Sequence, residues 1–330
     1  MDHSLGLTLV ELLISMTVML LIMAALTGAF MSQSRVSVSE DERINLQMNL
    51  RAATDSLNKA LRNAGFGAID SFRNSQAMSG GDPDGGNITV NSFISEITNN
   101  DSQDATISSD SVIIVYTFKE LGTVSTVPEE NQVTLDEAPS PKVTTGNDFK
   151  RYLSFYPTRL GNVFHQVSAV SNETDLTFAD SVQAEPGDRV FMVSPVRVKL
   201  DQGHIQLQIF SYQEVAVERS QHWRVAENIE DMQFQYSTDG STWTDEVTSD
   251  LQDIKKIRFW LLGRSAGQVP DAGSQSFELT KPTAEFENPG DICLEYSEGD
   301  EECPIYRVGP FNDGYVRMLS QSEVLLRNAL

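Results

Sequence analysis

From Leu7 to Met31 the chain runs for twenty-five residues, LTLVELLISMTVMLLIMAALTGAFM, with Glu11 as the only ionisable side chain. As a helix rising about 1.5 Å per residue, this run reaches roughly 38 Å, enough to cross a bilayer. No other stretch of the sequence matches it in length and apolarity. An ordinary secretory signal combines a basic start, a short apolar core and a small-residue cleavage site. Here Met1-Asp2-His3-Ser4-Leu5 carries no Lys or Arg, and the apolar run is too long. Cleavage near Gly28-Ala29 is the alternative on that pattern. Glu11 needs its own explanation, because a carboxylate in a bilayer costs several kcal/mol unless it is interfacial, neutralised or paired. A plain membrane anchor with an interfacial acid is the simplest competing account.

Polarity rises after Met31, but apolar residues keep helical spacing through Ile44, Met48, Ala53, Leu57, Leu61 and Ala64. Gly65-Phe66-Gly67 supplies a stop, with Arg62 favourably placed against the helix dipole. One helix over about 7–64 is expected, its Ile44, Met48, Leu57 and Leu61 face lying on the rest of the protein. Ser39 followed by Glu42 could cap a fresh start, and an unbroken helix is preferred. Beyond Gly67 short β-type runs alternate with turn clusters: Ser111 to Phe118, Arg189 to Val193, Val196 to Leu200, His204 to Tyr212, Asp231 to Tyr236 and Ile254 to Leu262. Asp201-Gln202-Gly203 reads as a hairpin turn before the alternating strand at His204.

Composition narrows the partners. The formal charge of −23 repels phosphate backbones and anionic lipid, so nucleic acid is not an expected partner. Cys293 and Cys303 are the only cysteines, too few for a thiolate metal site. A local disulfide is expected, contributing about 3 kcal/mol in the chain-entropy model and implying an oxidising compartment. Two unpaired thiols in a cytosolic protein are the alternative.

The segment Gly6-Leu7-Thr8-Leu9-Val10-Glu11-Leu12-Leu13-Ile14 resembles the processing signal of type IV pilins and type II secretion pseudopilins. The resemblance implies cleavage after Gly6 by a prepilin peptidase, N-methylation of Leu7, and Glu11 as fifth residue of the processed chain. It also implies that Glu11 meets the amino group of Leu7 on a neighbouring subunit, an attraction strengthened by low dielectric. The leader lacks the family's usual Lys or Arg, and Leu7 replaces the commoner phenylalanine. The run Val225 to Tyr236, Trp243, Ile254 to Leu262 and Val324 to Asn328 resemble, more loosely, PilW-like minor pilins and J-class pseudopilins.

The expected architecture is α+β, a long N-terminal helix carrying a β-rich head. Residues 1–6 form a leader, 7–31 the membrane or filament-core half of the helix, 32–65 its amphipathic half and 66–330 the head. The resemblance implies a minor pilin of a priming or tip complex. It would be stored in the bacterial inner membrane with a periplasmic head and later incorporated in a pilus or pseudopilus. Its partners would be other pilins, minor pilins, the prepilin peptidase and the inner-membrane assembly machinery. A type II secretion pseudopilin and an anchored adhesive or ligand-binding protein that never polymerises stay open.

Candidate binding segments are weaker. Gly80 to Asn87 places Asp82 and Asp84 in a glycine-rich loop able in principle to hold calcium, although the EF-hand pattern fails because its twelfth position is Phe93. A solvated turn is the preferred account, and no cofactor is expected. Glu298 to Glu302 is an acidic face. None of His3, His165, His204 and His222 has a partner at HExxH spacing, and GxSxG, P-loop and GxGxxG patterns are absent, so an enzyme is not expected.

Overall fold

The computed structural model describes residues 9–99, 109–157, 161–212, 222–244, 253–269, 272–279, 292–293, 306–311 and 313–326. Helix α1 runs unbroken over Leu9–Arg62, about 81 Å at roughly 1.5 Å per residue. Ser39 starts no new helix. Lys59 and Arg62 in the last turn suit the dipole, and Gly65 and Gly67, at φ +81° and +76°, turn the chain back. A Cβ on Gly67 would stand 2.5 Å from the Thr117 methyl group and 3.1 Å from Ser154 Oγ. Gly67→Ala therefore combines backbone strain with a clash. We expect it to lower stability by about 1–3 kcal/mol in thermal or denaturant unfolding.

A short helix, α2 (Ile69–Arg73), leads into the head, whose strands are β1 (Met78–Gly81), β2 (Asn87–Val90), β3 (Ile94–Asn99), β4 (Asp110–Glu129), β5 (Gln132–Leu135), β6 (Tyr152–Tyr156), β7 (His165–Ser171), β8 (Asp175–Phe178), β9 (Arg189–Asp201), β10 (His204–Ile209), β11 (His222–Ala226), β12 (Ile229–Ser237), β13 (Lys256–Arg264), β14 (Gln275–Leu279), β15 (Ile292–Cys293), β16 (Tyr306–Phe311) and β17 (Arg317–Leu325). The α+β expectation holds. The expected strands recur with moved ends, and the runs on either side of Pro195 join into β9. Pro195 stands opposite Val115 of β4; on the other side of β9, pairing with β6 ends at Met192 and pairing with β10 begins at Val196. The missing N–H thus falls in a gap between two partner strands. The β9–β10 connection is a two-residue turn with Gln202 at φ +48° and Gly203 at +77°, the primed geometry that matches strand twist.

The large sheet closes on itself. β9 pairs with β6 and β4, and the order β9-β6-β7-β8-β5-β4 returns to β9, making a six-stranded antiparallel barrel. Closure leaves the ring without edges. Its interior is a separate hydrophobic core that includes Val133, Leu153, Phe155, Val167, Leu176, Phe178, Val190 and Met192. The main core lies between α1, the remaining length of the large sheet and the sheet β12-β13-β17. Strands β4 and β9 are long enough to serve both cores.

Helix α1 buries Leu46, Leu50, Ala53, Leu57, Ala60 and Leu61 against the head. The expected docking face is half right: Leu57 and Leu61 are buried, but Ile44 and Met48 are exposed on the opposite side. They lie two residues from Leu46 and Leu50, about 160° around the helix. Gly263 admits the close approach, since a Cβ there would be 2.8 Å from Leu46 Cδ1. Polar contacts complete the seam: Thr54 Oγ1 to Ser320 Oγ and Asn58 Oδ1 to Ser322 Oγ, both at 3.0 Å. Glu42 Oε2 accepts from the Ala266 and Gly267 amides at 3.1 and 3.4 Å. Glu42 therefore ties the helix to the head and caps nothing.

Candidate functional site: the exposed half of the helix

The first half of α1 makes a continuous apolar surface. Leu9, Leu13, Met19, Leu21, Leu26 and Phe30 are all more than half exposed. The best 18-residue window has a mean hydropathy of 2.5 and no residue buried in the protein, so the helix is long and apolar enough to cross a membrane. A patch of this extent requires lipid or another protein surface around it. The helix hides its polar atoms accordingly. Ser15 Oγ donates to Leu12 O at 2.9 Å, Thr17 Oγ1 to Ile14 O at 2.8 Å and Thr27 Oγ1 to Met23 O at 2.8 Å. Each hydroxyl is satisfied inside its own helix and places no unmet donor in an apolar medium.

Glu11 lies in the first turn of the described helix. It shares one face with Ile14, Ser15, Val18, Ile22 and Leu26, a stripe at the three- and four-residue spacing through which helices pack side by side. Gly6 and Leu7, the expected cleavage and methylation sites, lie outside the described residues, as does Cys303, and with it the expected disulfide to Cys293.

Asp82 and Asp84 do not form an open solvated turn. Arg197 holds Asp82 through two bonds of 2.8 and 3.1 Å, and Asp84 takes Arg197 at 2.7 Å and Lys199 at 2.9 Å. The positions a cation would need are taken by side-chain nitrogens. Burial raises the Asp84 pKa, but hydrogen bonds from Gln208 and Lys199 and the charges of Lys199 and Arg197 outweigh it, leaving the carboxyl below its ordinary value. Among the described residues no three His, Cys, Asp or Glu side chains come together as a metal site.

His165 and His204 have local partners. His165 Nδ1 is 2.8 Å from Asp180 Oδ2 at one end of the barrel, with Phe155 and Phe178 against its ring. His204 Nδ1 is 2.9 Å from Gln202 O beside the hairpin turn. The cluster around Arg317 is not legible in the sequence, because its central partner, Glu230, lies 87 residues away, although Asp313 and Phe311 are close by in the chain. Arg317 donates to Glu230 at 2.6 and 2.9 Å and to Asp313 at 2.6 and 2.7 Å, and its guanidinium stacks 4.0 Å from the Phe311 ring.

Compared with solved structures, the chain is similar to a type IV-like pilin from Thermus thermophilus, at 13% identity over 86% of this chain and 98% of that one, with a TM-score of 0.36. No family model matches the sequence, and no curated protein matches it.

Proposed function

We propose that this protein is a non-enzymatic structural subunit of a type IV pilus, stored in the inner membrane and assembled through α1. The observation that carries the proposal is one helix whose exposed apolar half bears a single acid, Glu11, and whose other half is built into a folded head. A bilayer can cover the apolar half before assembly, and helices of neighbouring subunits can cover it afterwards. In the proposed filament Glu11 reads axial register. Buried beside the amino group of a neighbour's Leu7 it is neutralised, whereas a wrong stagger leaves both charges unpaired.

The finer role proposed is that of a minor pilin in a priming or tip complex, supported by the size of the head. A deletion strain should then show fewer filaments, and normal piliation would overturn that role. The central test is mass spectrometry of the N-terminal peptide from membranes and from sheared filaments. A chain beginning at N-methylated Leu7 is expected in both fractions. An intact Met1, or a start near Phe30, would overturn the proposal.

A further inference from the structure

In a chain of net charge −23, Arg197 and Lys199 stand on one face of β9, opposite Gln208 and Gln206 of β10. Val196, Val198, Ile205 and Leu207 alternate with them and enter the main core. Covering this polar face is the tip of the β1–β2 hairpin, whose carboxylates make the bonds to Arg197 and Lys199 described above. Gln208 Nε2 adds a bond of 2.9 Å to Asp84, and Gln206 Nε2 turns to Asp201 at 2.8 Å.

The cover is incomplete. Gln206 and Gln208 are 4% and 2% exposed, yet the side-chain carbonyl oxygen of each has no hydrogen-bond partner. Buried acceptors left unmet lose their hydration without a replacement, so this face has unused binding capacity. The hairpin that covers it is also weakly built. It is a two-stranded sheet of four residue pairs joined to no other sheet, an arrangement marginal on its own. Its base is anchored by buried Met78 and Val90 and by the bond from Ser79 N to Tyr152 Oη at 2.8 Å. Its tip is held by the aspartates and bends at Gly85 and Gly86, at φ +114° and +84°.

We infer that the Arg197–Lys199–Gln206–Gln208 face is a binding site for an acidic peptide segment of a partner protein, occupied in the free chain by Asp82 and Asp84 of its own hairpin. An extended acidic segment offers what the hairpin offers, carboxylates for Arg197 and Lys199. It also offers backbone N–H groups for the two amide oxygens that the hairpin leaves unmet. The hairpin is thus a competing internal ligand, and the partner binds as the tip lifts.

The test uses the full-length protein in detergent and a fluorescent hexaglutamate peptide, read by anisotropy. Asp82→Asn with Asp84→Asn should bind the peptide at least tenfold more tightly than the unaltered chain, and adding Arg197→Met should abolish the gain. A natively melting double variant with no gain, or a gain that survives Arg197→Met, would overturn the inference. Hydrogen exchange of the unaltered chain provides a second measurement that needs no variant. Saturating peptide should speed exchange at 81–88, and unchanged exchange there would equally overturn it.

Discussion

Arg317→Ala should be among the most damaging single substitutions in the head, lowering its stability by about 3–5 kcal/mol in denaturant unfolding. The side chain is 4% exposed and joins Glu230, 13% exposed, to Asp313 on the approach to β17. Removing the cation leaves Glu230 as a largely buried charge with the more exposed Arg264 beside it, at 3.2 Å. Breaking a buried pair from one side costs more than replacing the whole pair with apolar groups. The coupled substitution Arg317→Met with Glu230→Leu should therefore recover much of the loss. If Arg317→Ala costs less than about 1 kcal/mol, the cluster is not the fastening inferred here.

The same cluster sets a pH dependence. Hydrogen bonds from Arg317 hold the Asp313 carboxyl down to about 2, outweighing the rise caused by burial, with a further contribution from the Tyr315 amide. A carboxyl depressed in the folded state stabilises it above the unfolded value, and that stabilisation fades as pH falls through the folded one. The window runs from about pH 4 to about pH 2. The Asp313 side chain is 44% exposed, so solvent screens the effect and it stays well below that of Arg317. Stability of Asp313→Asn should fall below that of the unaltered chain above pH 4, and the two curves should converge near pH 2.

Leu57→Ala should cost about 2–5 kcal/mol, because Leu57 is fully buried where α1 meets the head and its loss opens a cavity in the main core. Met48→Ala, one face away, removes a similar volume from an exposed position and should change the stability of the isolated subunit by less than about 0.5 kcal/mol. Comparing the two by thermal unfolding separates the docked face of the helix from its free face. Equal effects would mean that the docking face is placed wrongly. A loss of filament incorporation by Met48→Ala without loss of stability would add Met48 to the assembly surface.

The amino-acid order alone dictates the long N-terminal helix and the place where it stops. Twenty-five residues with one acid can satisfy their backbone in an apolar medium only as a helix, and the glycines at 65 and 67 end it by local conformational preference. The Gln202-Gly203 hairpin was legible for the same reason, being a property of consecutive residues. The phase of the docked face was not. Ile44 and Met48 are apolar at helical spacing, and only contact with β13, β17 and the loop at 266–267 shows that Leu46 and Leu50 point inward instead. The barrel likewise depends on β4 meeting β9, strands separated by the intervening β5 to β8, and no local periodicity encodes that closure. Asp82 and Asp84 looked like a solvated loop because their partners lie more than a hundred residues away. Local chemistry determines local conformation, whereas ion pairs and second cores arise from segments that become neighbours only after the chain has folded.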